Sequence, residues 1–230
     1  MNTRIAILFL TLTAVTVSNA QFGGLKRLVP GKKQTSKLTP EQFGNSYTTL
    51  ITGVAKARIA FLTAQEQLAE ALGLKAEAAA CRSEAKRLGE GVSSDAGGVD
   101  SLKTSVAVSK DANKAIVSKL DEGKPLSQES QKRFVEGSGT FFKGVLLEKQ
   151  QIEAIQTLAG QGQSMVKSAS PFKKAKVARM VKPVTTLAAL VPGDVKEGVS
   201  TLKAISAFAK KQEIKLEQDD AKVDDLLGDL

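Results

Sequence analysis

Phe43, Tyr47, Leu50, Val54, Ala57, Phe61, Ala64, Leu68 and Ala71 recur at strictly alternating spacings of four and three. Only an α-helix brings such positions onto one face, and that face must be buried against a neighbour. Ala57, Ala64 and Ala71 stand one heptad apart, so a second backbone is expected to come close there in antiparallel packing. Thr39-Pro40-Glu41-Gln42 marks the start: threonine caps, proline takes the first helical position and Gln42 completes a capping box. A helix of about 33 residues would be roughly 50 Å long at 1.5 Å per residue. Near Gly73 the register slips, and Leu74, Ala78, Cys81, Ala85 and Leu88 continue a second seam.

Further helices are expected downstream. Gly89 to Asp100 reads as a loop, after which Leu102, Val106, Ile116 and Leu120 mark a helix whose seam is interrupted by Ser109 and Asn113. These two polar residues either line one wall of a cleft or face solvent, and the spacing favours solvent. "DEGKP" ends that helix, and Ser127 caps another lined by Phe134, Phe141, Val145, Ile152 and Ile155, expected to run to Ala159. "GQGQS" breaks the chain again. Asp194 then caps a last helix that turns Val195, Val199, Leu202, Ile205 and Phe208 inward. No strand run with a hairpin turn is present. The expected fold is all-α, an elongated antiparallel bundle of four to five helices over residues 39–212. A flexible basic arm, 21–38, precedes it, and an acidic tail, 213–230, follows.

Residues 1–20, "MNTRIAILFLTLTAVTVSNA", read as a secretory signal peptide. Arg4 supplies the positive end, Ile5 to Val17 the apolar run, and Ser18 and Ala20 the small residues of a cleavage site. A run of thirteen residues falls short of the roughly 20 that span a bilayer. Export to the periplasm or the medium follows as the expected localisation, with a bacterial envelope as the setting. The charge is +9 for the whole chain, and Arg4 is the only charged residue of the leader, so +8 remains beyond it. With Cys81 alone, no intrachain disulfide can form, which excludes the disulfide-stapled class of small secreted domains.

Much catalytic chemistry is missing. Histidine is absent, which removes the usual base near neutral pH and any metal site built on imidazole. Cys81 lies on an apolar stripe, where a core role is expected. Ser83/Lys86, Ser164/Lys167 and Ser200/Lys203 share a Ser-x-x-Lys spacing. "STLK" at Ser200 is similar to the nucleophile motif of serine penicillin-binding enzymes, but the companion motifs are absent and such matches arise by chance in a serine- and lysine-rich chain. Asp219, Asp220, Asp224 and Asp225 form an acid run, which is usually a solvated surface, and lack the spacing of a calcium loop. "GEG" and "GQGQ" lack the strand and lysine of a phosphate loop. No cofactor, no metal and no enzymatic activity are expected.

The functional expectation is a binding or carrier module for an apolar or lipid-like ligand, or for another envelope protein. The alternative is a peripheral scaffold that docks on an anionic membrane or wall surface; a helical membrane-active toxin ranks lower. The alternative rests on Ser168 to Pro192, where Lys173, Lys174, Lys176, Arg179 and Lys182 are the candidate contact residues. From Ala154 to Gly193 there are six basic residues and no acid. A short helix that ends or kinks at Pro183 is expected there, docked on the bundle with its lysines outward. Nucleic acid is not an expected partner, given export, the lysine bias and few stacking aromatics. No transmembrane segment is expected in the mature chain.

Overall fold

Thr39 opens the first helix with the reciprocal bonds of a capping box. Its hydroxyl accepts from the Gln42 N–H at 3.2 Å, and the Gln42 side chain accepts from the Thr39 N–H at 2.9 Å. The computed structural model describes residues 38–92 and 96–216. The leader, the arm up to residue 37 and the acid run at Asp219–Asp225 lie outside the described residues. Among those residues the chain is all-helical: α1 Pro40–Ala71, α2 Lys75–Gly89, α3 Ala96–Asp121, α4 Gln128–Ser168 and α5 Pro171–Lys211.

The seam on α1 is buried throughout, from Phe43 to Ala71. Its partner is α4, and the close approach expected at the alanines is made by glycines instead. A Cβ on Gly137 would lie 3.1 Å from Leu68 N, one on Gly144 3.0 Å from Phe61 Cα, and one on Gly162 2.9 Å from Phe43 Cε2. As the α4 number rises, the α1 number falls by the same amount, so the pair is antiparallel in a single register along its length. Small residues on α4 thus admit the rings of α1, and Phe61 meets Phe141 at 4.7 Å between centroids. Ala57, Ala64 and Ala71 are buried too, but the α4 glycines meet Leu68, Phe61 and Phe43 rather than these alanines.

Gly73 converts the seam's slip into a turn. It adopts φ +74°, and Leu74 N–H reaches back to Ala69 O at 2.8 Å, the hydrogen bond of a Schellman stop. α2 then folds back along α1, where Arg82 bonds both Glu66, at 2.7 Å, and Glu70.

Several expected boundaries move. α3 already begins at Ala96, inside the expected loop, because burial of Val99 and Leu102 one turn apart outweighs two helix glycines. "GQGQS" does not break α4, which continues to Ser168; Gly162 is retained where Val181 and Phe43 press on its backbone. Pro183 does not end α5, and Pro192 does not either. An interior proline costs about 3 kcal/mol. Burial of Val181, Val184, Leu187, Val191 and Val195 at about 1.5–3 kcal/mol each exceeds the cost of both. The short docked helix expected before Pro183 is therefore the first part of one helix of 41 residues.

Side-chain bonds fix the helix directions. Arg58 meets Ser105, and Gln65 meets Ser109 and Asn113, so α1 and α3 run parallel. Lys110 pairs with Glu197 at 2.9 Å and Gln212 donates to Gly123 O at 3.0 Å, so α3 and α5 are parallel too. Gly162 against Val181 and Gly198 against Val145 make α4 and α5 an antiparallel hairpin. α1, α3, α4 and α5 thus enclose one core, with α2 laid against α1 and α3.

Candidate functional site

Two places in the bundle concentrate chemistry. One is its centre, where a second heptad stripe of α1 turns inward: Ile51, Ala55, Arg58, Leu62, Gln65, Ala69 and Leu72 are all buried. The two polar members meet polar members of α3. Gln65 Nε2 lies 2.9 Å from Ser109 O, 2.9 Å from Ser109 Oγ and 2.8 Å from Asn113 Oδ1. Ser109 and Asn113 therefore face neither solvent nor a cleft; they are buried partners of α1.

One helical step away, Arg58 is 2 % exposed and joins four helices. Its Nε donates to Ser105 Oγ at 3.1 Å and its Nη2 to Ser105 O at 3.0 Å. Its Nη1 donates to Glu148 Oε1 of α4 at 2.7 Å and to Asp194 Oδ2 of α5. The guanidinium also stands 5.4 Å from the Phe61 ring centroid. Burial opposes its charge, but the two carboxylates hold it protonated and raise its pKa. Asp194 is consequently no helix cap: it lies mid-helix in α5, and burial first, then the neighbouring Glu148, push its carboxyl up to about 8.

Beside these groups is a void of about 10 Å³ lined by Val54, Leu102, Gln151 and Leu187 together with Arg58, Glu148 and Asp194. Glu148 Oε2, Gln151 Oε1 and Asp194 Oδ1 have no partner among the described residues. A space of that size takes about one water and no lipid chain. Of the buried polar residues at the centre, the sequence pointed to Asp194 only as a helix cap and to Ser109 and Asn113 only as breaks in a seam; Arg58, Gln65, Glu148 and Gln151 were not singled out. The signal that marks two of them is the four-and-three spacing that continues from Ile51 to Leu72 through Arg58 and Gln65.

The second place is the tip of the α4–α5 hairpin. Pro171 to Lys176 are all exposed, and the first fully buried residue of α5 is Val181. Lys173, Lys174, Lys176, Arg179 and Lys182 are all exposed there, with no ion-pair partner among the described residues. Lys173 and Lys174 point to the side that Val181 and Val184 bury farther along, yet stand free because the helix there runs past its neighbours. Phe172 is 98 % exposed, whereas Phe43, Phe61, Phe134, Phe141 and Phe208 are buried.

The remaining candidates do not assemble into a reactive site. Cys81 is buried, and burial first, then the field of Glu66, push its thiol up to about 12. The Ser164 and Ser200 hydroxyls donate to the carbonyls of Gly160 and Lys196, one turn back on their own helices. Among the described residues no cluster of acids, histidine or cysteine is placed to hold a metal, and no helix is long and apolar enough to cross a membrane.

The described residues thus define an antiparallel five-helix bundle, tied at its centre by buried ions and cationic at one hairpin tip. Comparison with family models, characterised proteins and solved structures yields no match.

Proposed function

We propose that this chain is an exported, non-enzymatic helical scaffold of the cell envelope that docks on an anionic surface through the α4–α5 tip. The observation that carries this proposal is the segregation of charge. Elsewhere along the described helices basic residues are interspersed with acids, and several are paired: Lys110 with Glu197, Arg82 with Glu66 and Glu70, Arg133 with Glu129, Lys119 with Glu122. At the tip five cations stand unpaired in a stretch without an acid, from Ala154 to Gly193. A run of charge usually only solvates a helix, with both signs mixed; a single-sign field attracts the opposite surface. Near an anionic surface each such residue contributes about 1 kcal/mol.

The leader around Arg4 and Ile5–Val17 supports export. The lack of histidine and the buried Cys81 support a role without catalysis. A carrier of a lipid-like ligand gains no support from the central void, which is water-sized. Retention on an immobilised polyanion, eluted with a salt gradient, tests the proposal. Changing Lys173, Lys174 and Lys176 together to glutamine is expected to bring elution to clearly lower salt. Elution of that variant and the wild type at the same salt would overturn it.

A further inference from the structure

We infer that the anionic surface is a lipid bilayer and that Phe172 is the side chain that enters it, an inference that rests on the docking proposed above. Among the described aromatics Phe172 alone stands out in water; Tyr47 and the phenylalanines named above are buried, and Phe142 packs partly on the core. A fully exposed phenyl ring is a large apolar surface left without a partner. Its position is set by the fold: Ser170 and Pro171 start α5 directly after α4 ends at Ser168, so Phe172 sits in the first turn of the hairpin tip.

The surroundings suit a headgroup region. Lys176 and Arg179 follow at i+4 and i+7, on the same side of the helix as the ring, and Lys173 and Lys174 add charge on the other side of the same exposed first turns. Lysine and arginine stems lie along apolar surface while their charges stay at the level of lipid phosphates. No carboxylate lies in the same stretch to repel those phosphates. A free anionic polymer offers the cations a partner but gives the ring no apolar phase to enter, which favours lipid.

The fold also limits the mode of contact. Val177 and Met180 pack partly on the core and Val181 is buried, so the apolar side of α5 is already used from its second turn onward. The helix cannot lie flat in an interface as a free amphipathic helix does. Contact is end-on, through one phenyl ring and the cations of the same helix end, and therefore reversible and salt-sensitive.

The chain contains no tryptophan, so Phe172→Trp creates a single indole reporter at the tip of the otherwise unchanged full chain. Vesicles of phosphatidylcholine alone and of phosphatidylcholine with phosphatidylglycerol are the probes, beside the polyanion column. Expected are a blue shift of the indole emission on the anionic vesicles only, and Phe172→Ala binding those vesicles about tenfold more weakly. Column retention of Phe172→Ala stays at the wild-type salt. Equal vesicle affinity of Phe172→Ala and wild type, or an unshifted indole on bound vesicles, overturns bilayer entry. Retention on the column without vesicle binding also overturns it, leaves docking standing and points to an acidic polymer or protein. Failure of both the column and the vesicles removes docking itself.

Discussion

Glu148 and Asp194, on adjacent antiparallel helices, accept hydrogen bonds from the same nitrogen of Arg58. One guanidinium thus faces two carboxylates in a place that water does not reach, with Glu148 and Asp194 each 4 % exposed. Two ionised carboxylates would leave the junction with a net negative charge, which a dry interior strongly opposes. Holding one proton on the pair makes the junction neutral, and the raised Asp194 carboxyl is the expression of that balance. The unpartnered Glu148 Oε2 and Asp194 Oδ1 then border a void with room for about one water.

A dependence of stability on pH follows. Asp194 releases its proton near its ordinary value of 3.8 when unfolded and at about 8 when folded. Between those values the folded state binds more protons, so stability falls as pH rises, by about 1 kcal/mol per unit. Arg58 of α1 and Glu148 of α4 face the group, and Lys110 of α3 adds a weaker field. Thermal melts between pH 5 and 8 should show a falling midpoint in the wild type. Asp194→Asn mimics the protonated acid and should flatten that slope; an unchanged slope in the variant would show that the proton is held elsewhere.

Removing the cation alone should be far worse than removing the whole cluster. Arg58→Met strands two buried carboxyls and is expected to cost about 3–5 kcal/mol in urea unfolding. Combining it with Glu148→Leu and Asp194→Leu exchanges ions for apolar contacts and should recover most of that loss. A triple variant as unstable as Arg58→Met would mean that packing, not unpaired charge, sets the penalty.

The glycines of α4 separate into two kinds. At Gly144 a new Cβ would meet backbone, Phe61 Cα at 3.0 Å, which cannot swing aside. Gly144→Ala should therefore destabilise by about 1–3 kcal/mol despite alanine's better helix propensity. Gly160 has nothing within 4 Å of that position, and Gly160→Ala should stabilise by about 1 kcal/mol. Paired urea melts decide the matter, and a Gly144→Ala midpoint at or above wild type would contradict the close approach.

Periodicity made the first seam of α1 legible, along with the caps at Thr39 and Ser127, because each is a local pattern with one geometric outcome. The continuity of α5 was not legible, since prolines 183 and 192 are local signals overruled by burial against α4 and α3. Gly162 misled for a related reason: its role is to admit Val181 and Phe43, which are distant in sequence. The junction at Arg58 stayed hidden because charged residues normally face water, and its partners come from four separate helices. At the tip, spacing located the cations, but only the end of packing beyond Val181 left Phe172 bare.

The two Schellman ends differ in one residue and offer a last comparison. At the end of α1, Gly73 takes φ +74° and Leu74 N–H bonds Ala69 O at 2.8 Å. At the end of α5, Glu213 takes φ +57° and Ile214 N–H bonds Ala209 O at the same 2.8 Å. Glycine adopts that conformation without penalty, whereas a residue with a Cβ loses about 1–2 kcal/mol. Ile214 packs on the core beyond the turn, which holds the strained residue in place. Glu213→Gly relieves the strain, and the greater freedom of glycine in the unfolded chain returns about 0.4–1 kcal/mol of that gain. A net stabilisation of about 0.5–1 kcal/mol is expected, a rise of roughly 1–4 °C in Tm for a chain of this size. Gly73→Ala should shift the midpoint in the opposite direction by a similar amount. Thermal melts of both variants check the pair, and a lower midpoint for Glu213→Gly would rule out strain at the α5 stop.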